Sequence, residues 1–313
     1  MEYQQLGNTG LRVSRVALGT VELGMDYGFR GSAHYRRPDL SEAIGIVHRA
    51  MDLGINLIDT ARGYGTSEEV IGKALKSRPG DVVLASKVAI PADVIAEPRR
   101  VHEVILGSIE ASLTALQLET IDLLQIHNLT PAILSNDEVW RALEDAQKAG
   151  KFRLLGGSSY GEEVPLAALE NERLRSLQVP FNVLDRRVMP RVFPGAVKKR
   201  VGILVRSAFL RGVLTSQVDS VPARLALVRD AALRIFAQAR HTVQSLSEMA
   251  LRFCLSQDEV SSVIIGVRSV QELEVNVADA GKGALSRELV DQLCQVSVPD
   301  ERLLEPQNWQ DLI

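Results

Sequence analysis

The sequence predicts an α/β fold in one domain, a (β/α)8 TIM barrel with an N-terminal β-hairpin, spanning residues 1–313. Two observations carry this expectation. Short β-branched runs alternate with helical patterns along nearly the whole chain, and eight such runs match the strand count of a barrel that typically takes about 250 residues. The runs are also apolar almost throughout, as parallel strands buried on both faces should be. A doubly wound open sheet is the runner-up. It usually needs fewer strands, and no Gly-x-Gly-x-x-Gly follows the first strand.

Residues 3–19 read as a hairpin turning at Asn8-Thr9-Gly10 and feeding a strand through Ala17-Leu18-Gly19. Residues 24–40 carry Gly, Arg and aromatics without a period, which marks a long loop of the functional kind. Ser41-Glu42 opens a helix through Met51, ended by Gly54. Strands then follow at 55–59, 82–87, 121–127, 153–158, 177–181, 202–207 and 262–266. Helices are expected between them at 67–76, 101–117, 137–149, 164–169 and 188–199, then at about 223–240 and 245–256. Helices at 269–280 and 286–296 precede a polar tail. No domain break or short repeat interrupts the rhythm.

Composition excludes several classes. The chain is 46% hydrophobic and 24% charged, enough apolar material for a large core. A net charge of −3 points away from nucleic acid and anionic membranes as partners. Cys254 and Cys294 form no Cys-x-x-Cys pair, so neither a disulfide framework nor a metal site is expected, and a reducing cytoplasm fits. The polar start, Met1 to Gln5, lacks the apolar centre of a signal peptide, and no apolar run approaches the ~18 residues of a membrane helix. A soluble cytoplasmic protein is expected; nothing in the sequence reports its oligomeric state.

Polar residues collect at the strand ends, where parallel α/β folds place their chemistry. The second barrel strand ends in Asp59, with Tyr64 in the loop that follows; the third ends in Lys87 and the fourth in His127. Each alone has an ordinary explanation: a turn-capping Asp, a loop Tyr, a solvated Lys, a core His. Together, at the same ends of three consecutive strands, they form a set suited to proton transfer. A free tyrosine has a pKa of about 10. A lysine ~4 Å away at an effective dielectric of ~20 favours its phenolate by ~4 kcal/mol, roughly three pKa units. Lys87 is therefore expected to bring Tyr64 toward neutrality, with Asp59 keeping Lys87 charged and His127 orienting a substrate oxygen.

Ile-Asp-Thr-Ala-Arg-Gly-Tyr-Gly, Ala-Ser-Lys-Val and Asp-Leu-Leu-Gln-Ile-His resemble the catalytic tetrad segments of the aldo-keto reductase superfamily. The resemblance extends from Leu6 to about Asn276. It implies a barrel that binds NADP(H) or NAD(H) without a Rossmann fold, with Tyr64 as general acid/base, Lys87 and Asp59 tuning it, and His127 orienting the carbonyl. Gly156-Gly157-Ser158-Ser159 resembles the family's Gly-x-Ser-Asn, so Ser158 should hold the nicotinamide carboxamide, with Ser159 in place of Asn and Gln178 as second ligand. Arg206-Ser207-Ala208-Phe209-Leu210-Arg211-Gly212 matches the segment at the nicotinamide ring and pyrophosphate. Ser207 stands where the family often has an aromatic, and Arg206 is one candidate to stack instead. Gly266, Arg268, Glu272 and Asn276 resemble the adenosine-phosphate segment, at a helix start that favours phosphate. Arg268 suits a 2′-phosphate, whereas Glu272 suits the ribose hydroxyls of NAD; the preference stays open. Thr20 follows the first strand beside the cofactor. Thr20-Val21-Glu22-Leu23, the loop 24–40, Trp140 and the polar tail after Pro299 are candidates to line the substrate mouth, with Tyr27, Phe29, Tyr35 and Arg36 as candidates for substrate contact, and the short tail suggests an open pocket.

The leading expectation is thus an NAD(P)(H)-dependent oxidoreductase interconverting an alcohol and a small-molecule carbonyl: an aldehyde, ketone or sugar. The alternative is a cofactor-binding sensor or accessory subunit with little turnover. A third reading, a barrel lyase or isomerase with Lys87 as a Schiff-base lysine, leaves Tyr64 and Gln178 without a role.

Overall fold

The computed structural model describes residues 1–29 and 35–312. Residues 30–34 of the predicted 24–40 loop lie outside the described residues. Strands β1 (Tyr3–Gln5) and β2 (Arg12–Ser14) pair antiparallel as the hairpin, with Tyr3 opposite Ser14. Eight strands then close a parallel barrel: β3 (Val16–Gly19), β4 (Leu57–Asp59), β5 (Val83–Val88), β6 (Ile121–Ile126), β7 (Phe152–Ser158), β8 (Ser176–Pro180), β9 (Gly202–Arg206) and β10 (Val260–Gly266). Each pairs with its neighbour in sequence order, and β10 returns to β3 with Gly266 opposite Gly19. The eight-strand count predicted from the sequence is the one observed.

Boundaries differ for identifiable reasons. The expected continuous run from Arg12 to Gly19 is broken at Arg15, whose guanidinium turns away to the carbonyl oxygens of Leu255, at 2.6 Å, and Val260. The expected strand at 55–59 starts only at Leu57. Asn56 is occupied otherwise: its Oδ1 accepts from the Ser14 N–H at 2.7 Å and its Nδ2 donates to Arg12 O at 2.9 Å. That side chain holds the hairpin to the barrel. The helix expected at 188–199 begins at Val192, after Pro190, whose ring disfavours helical backbone at Met189. The helix expected at 223–240 opens with a 3-10 turn at Ala223–Leu225 before its α-helical part, Ala226–Ala239.

The core has two layers. Inside the barrel, Ala17, Leu57, Ala85, Leu123, Leu204 and Ile264 pack with Leu6 and Val13 of the hairpin, which plugs the N-terminal end. Large and small side chains alternate across facing strands, the arrangement that fills a barrel interior rather than leaving a pore. Outside, the amphipathic helices bury their apolar faces on the strands, as Ala43, Ile46, Val47 and Ala50 of Leu40–Asp52 do. That helix starts with a reciprocal capping pair: Asp39 accepts from the Glu42 N–H, and Glu42 accepts from the Asp39 N–H.

The predicted polar tail is not a loose end. It forms 3-10 turns at Glu301–Leu304 and Pro306–Leu312, and Trp309 is buried and stacked on Phe29 with ring centroids 5.9 Å apart. The tail therefore closes against the loop after β3. Arg187 anchors it further, bridging Asp185 at 2.8 Å and Glu305 at 2.7 Å.

Leu6 is fully buried at the end of the barrel opposite the strand carboxyl termini. Leu6→Ala should lower unfolding stability by about 2–5 kcal/mol in a denaturant titration while leaving kcat within about twofold, since the plug lies far from the site described below.

Candidate active site

The site is built where β4, β5, β6 and β8 end. Asp59 is the last residue of β4 and pairs with Ala85 across the sheet, while Lys87, two residues farther along β5, pairs with Gln125 of β6. This stagger sets the carboxylate and the ammonium one step apart on the inner face. Lys87 Nζ donates to Asp59 Oδ2 at 2.5 Å and to Thr60 O at 3.0 Å. Asp59 Oδ1 accepts from Gln125 Nε2 at 2.9 Å and from Gln178 Nε2 at 2.8 Å. Gln178 Nε2 also lies 3.1 Å from Gln125 Oε1. Asp59 is 3% exposed and Lys87 1%, so this is a buried ion pair with its remaining hydrogen-bond capacity met by two amides.

Tyr64 and His127 face this pair. Lys87 Nζ lies 4.8 Å from the Tyr64 ring centroid, and the Tyr64 and His127 rings meet edge to face at 5.5 Å. The Tyr64 loop is fixed from below. Ser67 Oγ bonds both Thr20 Oγ1, at 2.6 Å, and Thr60 Oγ1, at 2.8 Å. Glu68 is buried between Ser86 Oγ at 2.6 Å and Arg62 Nη1 at 2.8 Å. Gly24 makes the close approach possible from the side: a Cβ there would stand 2.0 Å from Tyr64 O. The helix Val21–Gly24 thus packs directly on the loop that carries the tyrosine.

Electrostatics correct one expectation. Burial pushes the Tyr64 phenol above its ordinary value, and the Lys87 charge only partly opposes it. The lowering expected from Lys87 alone ignored the desolvation of a phenolate in this site. Burial also works against the Lys87 ammonium, but Asp59 and Tyr64 outweigh it, and its pKa is raised. His127 is pushed down to about 4, by burial first and by the Lys87 charge second. At neutral pH the site therefore holds a protonated phenol, an ammonium and a neutral imidazole.

A cleft of about 540 Å3 opens from this cluster toward β9 and β10, within the range of ligand pockets. Tyr64 and Asp59 line its inner end. Thr20, Arg206, Ser207, Leu210 and Gly212 line its middle, and Gly266, Arg268, Glu272 and Asn276 its far end. Ser158, Ser159 and Gln178 sit at the adjoining ends of β7 and β8, beyond the lining of the cleft. Ser159 Oγ is buried there without a partner. The arch over the middle is strained: Ser207, Leu210 and Arg211 have φ of 61°, 44° and 54°, each costing about 1–2 kcal/mol for a non-glycine residue. Such strain is retained where backbone must present groups to a ligand.

Several expected contacts take other forms. Gln178 directs its amide nitrogen at Asp59 and Gln125. Arg206, a candidate stacking group, lies over the Tyr160 ring, 4.1 Å from its centroid. Arg268 donates through Nη2 to Tyr27 O at 2.9 Å, and Glu272 Oε2 accepts from the Arg268 N–H at 2.8 Å, so both serve the local backbone. Of the mouth candidates, Glu22 and Tyr27 line the cleft. Phe29 is buried against Trp309, Tyr35 O accepts from the Tyr27 N–H at 3.1 Å, and Arg36 is exposed. Trp140 is misplaced by the sequence reading. It stands near the start of the helix Asp137–Lys148, outside the barrel, where its Nε1 donates to Leu134 O at 3.0 Å, and it lines a separate cavity of about 730 Å3 with Asn8, Arg153 and Arg173. That cavity is the larger one but holds none of the tetrad.

Two features went unassigned in the sequence. Gln125 was legible in principle, being a polar residue at an inward position of an otherwise apolar strand. The pairing of Tyr27 with Arg211, 3.1 Å between the phenol oxygen and Nε, joins residues 184 apart and leaves no local signal. Among the described residues no cluster of His, Cys, Asp and Glu could hold a metal ion, and no helix is long and apolar enough to cross a membrane.

The family model described as "Aldo/keto reductase family" matches residues 15–297. The chain is 31% identical to the aldo-keto reductase YhdN of Bacillus subtilis (strain 168) over 70% of its own length and 65% of that protein's. It is 30% identical to the L-galactose dehydrogenase of Arabidopsis thaliana, over 89% of this chain and 88% of that one. Among solved structures, the holo form of an aldo-keto reductase from Bacillus halodurans superposes with a TM-score of 0.77 at 28% identity, covering 97% of this chain and 100% of that chain.

His127 carries a measurable signature. Its imidazole falls from 6.5 to about 4 on folding, so the unfolded chain binds more protons between those values and stability must fall as pH drops through that window. The loss is about 3 kcal/mol at most, less with solvent screening. His127→Gln should flatten this part of the stability curve, read as denaturation midpoints against pH.

Proposed function

The chain belongs to the aldo/keto reductase family and is an NAD(P)H-dependent oxidoreductase; on that premise we propose that it reduces a small aldehyde, ketone or sugar carbonyl, with Tyr64 as the general acid and residues 1–313 acting as one barrel domain. The observation that carries the reading is the buried Asp59–Lys87 pair facing Tyr64. A buried ion pair adds little net stability, so its presence where the strands end is better explained by chemistry than by folding. A sensor would have no use for it.

The residues present suit the dinucleotide. A cleft of about 540 Å3 leads away from Tyr64, the strained arch Ser207–Gly212 lines it, and Ser159 Oγ is buried unpartnered just after β7, beyond that lining. Ser158, Ser159 and Gln178 would hold the nicotinamide end, the arch the diphosphate, and Gly266, Arg268 and Asn276 the adenosine end. When bound, the cofactor supplies the hydride. The protein's own part is proton transfer and positioning. His127, neutral at physiological pH, can hydrogen-bond the substrate oxygen without taking its proton. Tyr64 holds its proton through neutral pH because burial raises its pKa, and gives it to the oxygen as charge develops there. Lys87 then faces the phenolate that forms, its own charge kept by Asp59.

Tyr64→Phe should leave cofactor dissociation constants within about twofold and reduce kcat for carbonyl reduction at least tenfold. Turnover surviving with a smaller loss would remove Tyr64 as proton donor. Wild-type reduction should be level through neutral pH, because the acid is already protonated. Alcohol oxidation needs the phenolate and should rise with pH over the same range; initial rates in both directions decide this.

At the far end of the cleft, Glu272 places a carboxylate where a 2′-phosphate would bring further negative charge, which supports a preference for NAD(H). Glu272→Arg should shift the ratio of NADPH to NADH dissociation constants toward NADPH; an unchanged ratio removes Glu272 from cofactor choice.

A further inference from the structure

Glu22 follows β3 in the short helix Val21–Gly24 and points into the cleft rather than to solvent. It is 8% exposed, and its Oε2 is buried without a hydrogen-bond partner. Its carboxyl occupies the space a side chain on Gly266 would need: a Cβ there would lie 2.2 Å from both oxygens. A buried carboxylate oxygen left without a donor is costly, and no proton donor for the Tyr64 chemistry is needed at this position.

The groups around it explain what it does. Arg211 approaches from the arch after β9, and Arg268 and Glu272 from the segment after β10. Tyr27 faces it from its own loop, and Tyr64 and Asp59 lie farther in along the same cleft. Each guanidinium has a buried nitrogen without a partner, Nη1 of Arg211 and Nε of Arg268. Their other nitrogens hold Tyr27, through its phenol oxygen at 3.1 Å and its carbonyl oxygen at 2.9 Å. Two cations with spare donors and a carboxylate oxygen without a donor therefore share the cleft. Burial raises the Glu22 carboxyl, and Arg268 partly opposes that.

We propose that Glu22 is the resident counter-ion of this cleft, which an anionic ligand supplants as the electrostatic partner of Arg211 and Arg268, so that Glu22 takes up one proton from solvent as the ligand binds. Resting on the cofactor reading above, the ligand is the diphosphate of a nicotinamide dinucleotide. Its two negative charges would raise the proton affinity of the neighbouring carboxylate further. Uptake is confined to the pH window between the Glu22 pKa of the free protein and that of the complex. Binding then weakens as pH rises through that window, by up to tenfold per unit. His127 titrates near 4, below the window, and Tyr64 and Lys87 are both displaced upward, away from it.

The test is the dissociation constant of NADH for the full chain, read by nicotinamide emission from about pH 5 to about pH 9. NADH is chosen because it lacks the 2′-phosphate, whose second ionisation falls near pH 6. The wild type should lose affinity with rising pH. Glu22→Gln, equal in size, should bind more tightly at the alkaline end and show a flat profile. Calorimetry of the wild type in buffers of differing ionisation enthalpy should report proton uptake, and it decides the matter should Glu22→Gln not fold. A wild-type slope that survives in Glu22→Gln, or binding without proton uptake, would overturn the proposal. ADP-ribose separates it from the cofactor reading. If ADP-ribose binds with the Glu22-dependent slope while NADH does not bind, the counter-ion stands and the nicotinamide reading falls. If neither binds, both fall.

Discussion

Everything at the top of this barrel depends on keeping one ammonium charged where water cannot reach it. Lys87 stays ionised at 1% exposure because Asp59 is beside it, and the Asp59 oxygens are in turn filled by two glutamine amides and the Lys87 ammonium. Removing one partner of such a pair typically costs about 3–5 kcal/mol. That constraint reaches outward through the strands. Lys87 and Gln125 are cross-strand partners, and Gln178 reaches Asp59 from β8, on another side of the barrel. The closed sheet fixes these positions more firmly than any loop would, and the tyrosine, which does sit on a loop, is tied down separately by Ser67, Glu68 and Gly24.

The same logic separates what the sequence revealed from what it hid. The barrel was legible because strand and helix periods are local properties, and eight of them in series leave few topologies. Asp59, Lys87 and His127 were legible because each interrupts an apolar run at a strand end. Tyr64 was legible from its spacing, but its acidity was not: distance to Lys87 can be guessed from the fold, whereas burial depends on Gly24 and the loop after β3. Gln125 fell between, visible as a misplaced polar residue yet meaningful only once its amide was seen on Asp59. Trp140 was misplaced because aromatic content alone does not say which end of a helix faces which cavity. The tail read as polar because its one anchoring ring, Trp309, needs Phe29 from 280 residues earlier to make sense.

Three polar groups without partners meet in the cleft. Glu22 Oε2, Arg211 Nη1 and Arg268 Nε belong to residues that line it, and Ser159 Oγ is a fourth just beyond its lining. In a well-packed protein such atoms are few, and each one asks for an explanation. Here the explanation is shared: together with the left-handed backbone of Ser207, Leu210 and Arg211, they describe a surface prepared for a polar occupant, held at a cost in stability.

The stack of Trp309 on Phe29 has an optical consequence. The chain has two tryptophans, and the fold gives them unlike surroundings. Trp309 is pinned against the loop that borders the cleft, while Trp140 lies outside the barrel with the Arg173 guanidinium over its ring and lines a separate cavity. Their emission divides the molecule in two without any added label. A change confined to the Trp309 component reports events at the mouth, and a change confined to Trp140 reports the helical shell. Each single-tryptophan form of the protein would be a gauge for one of the two cavities.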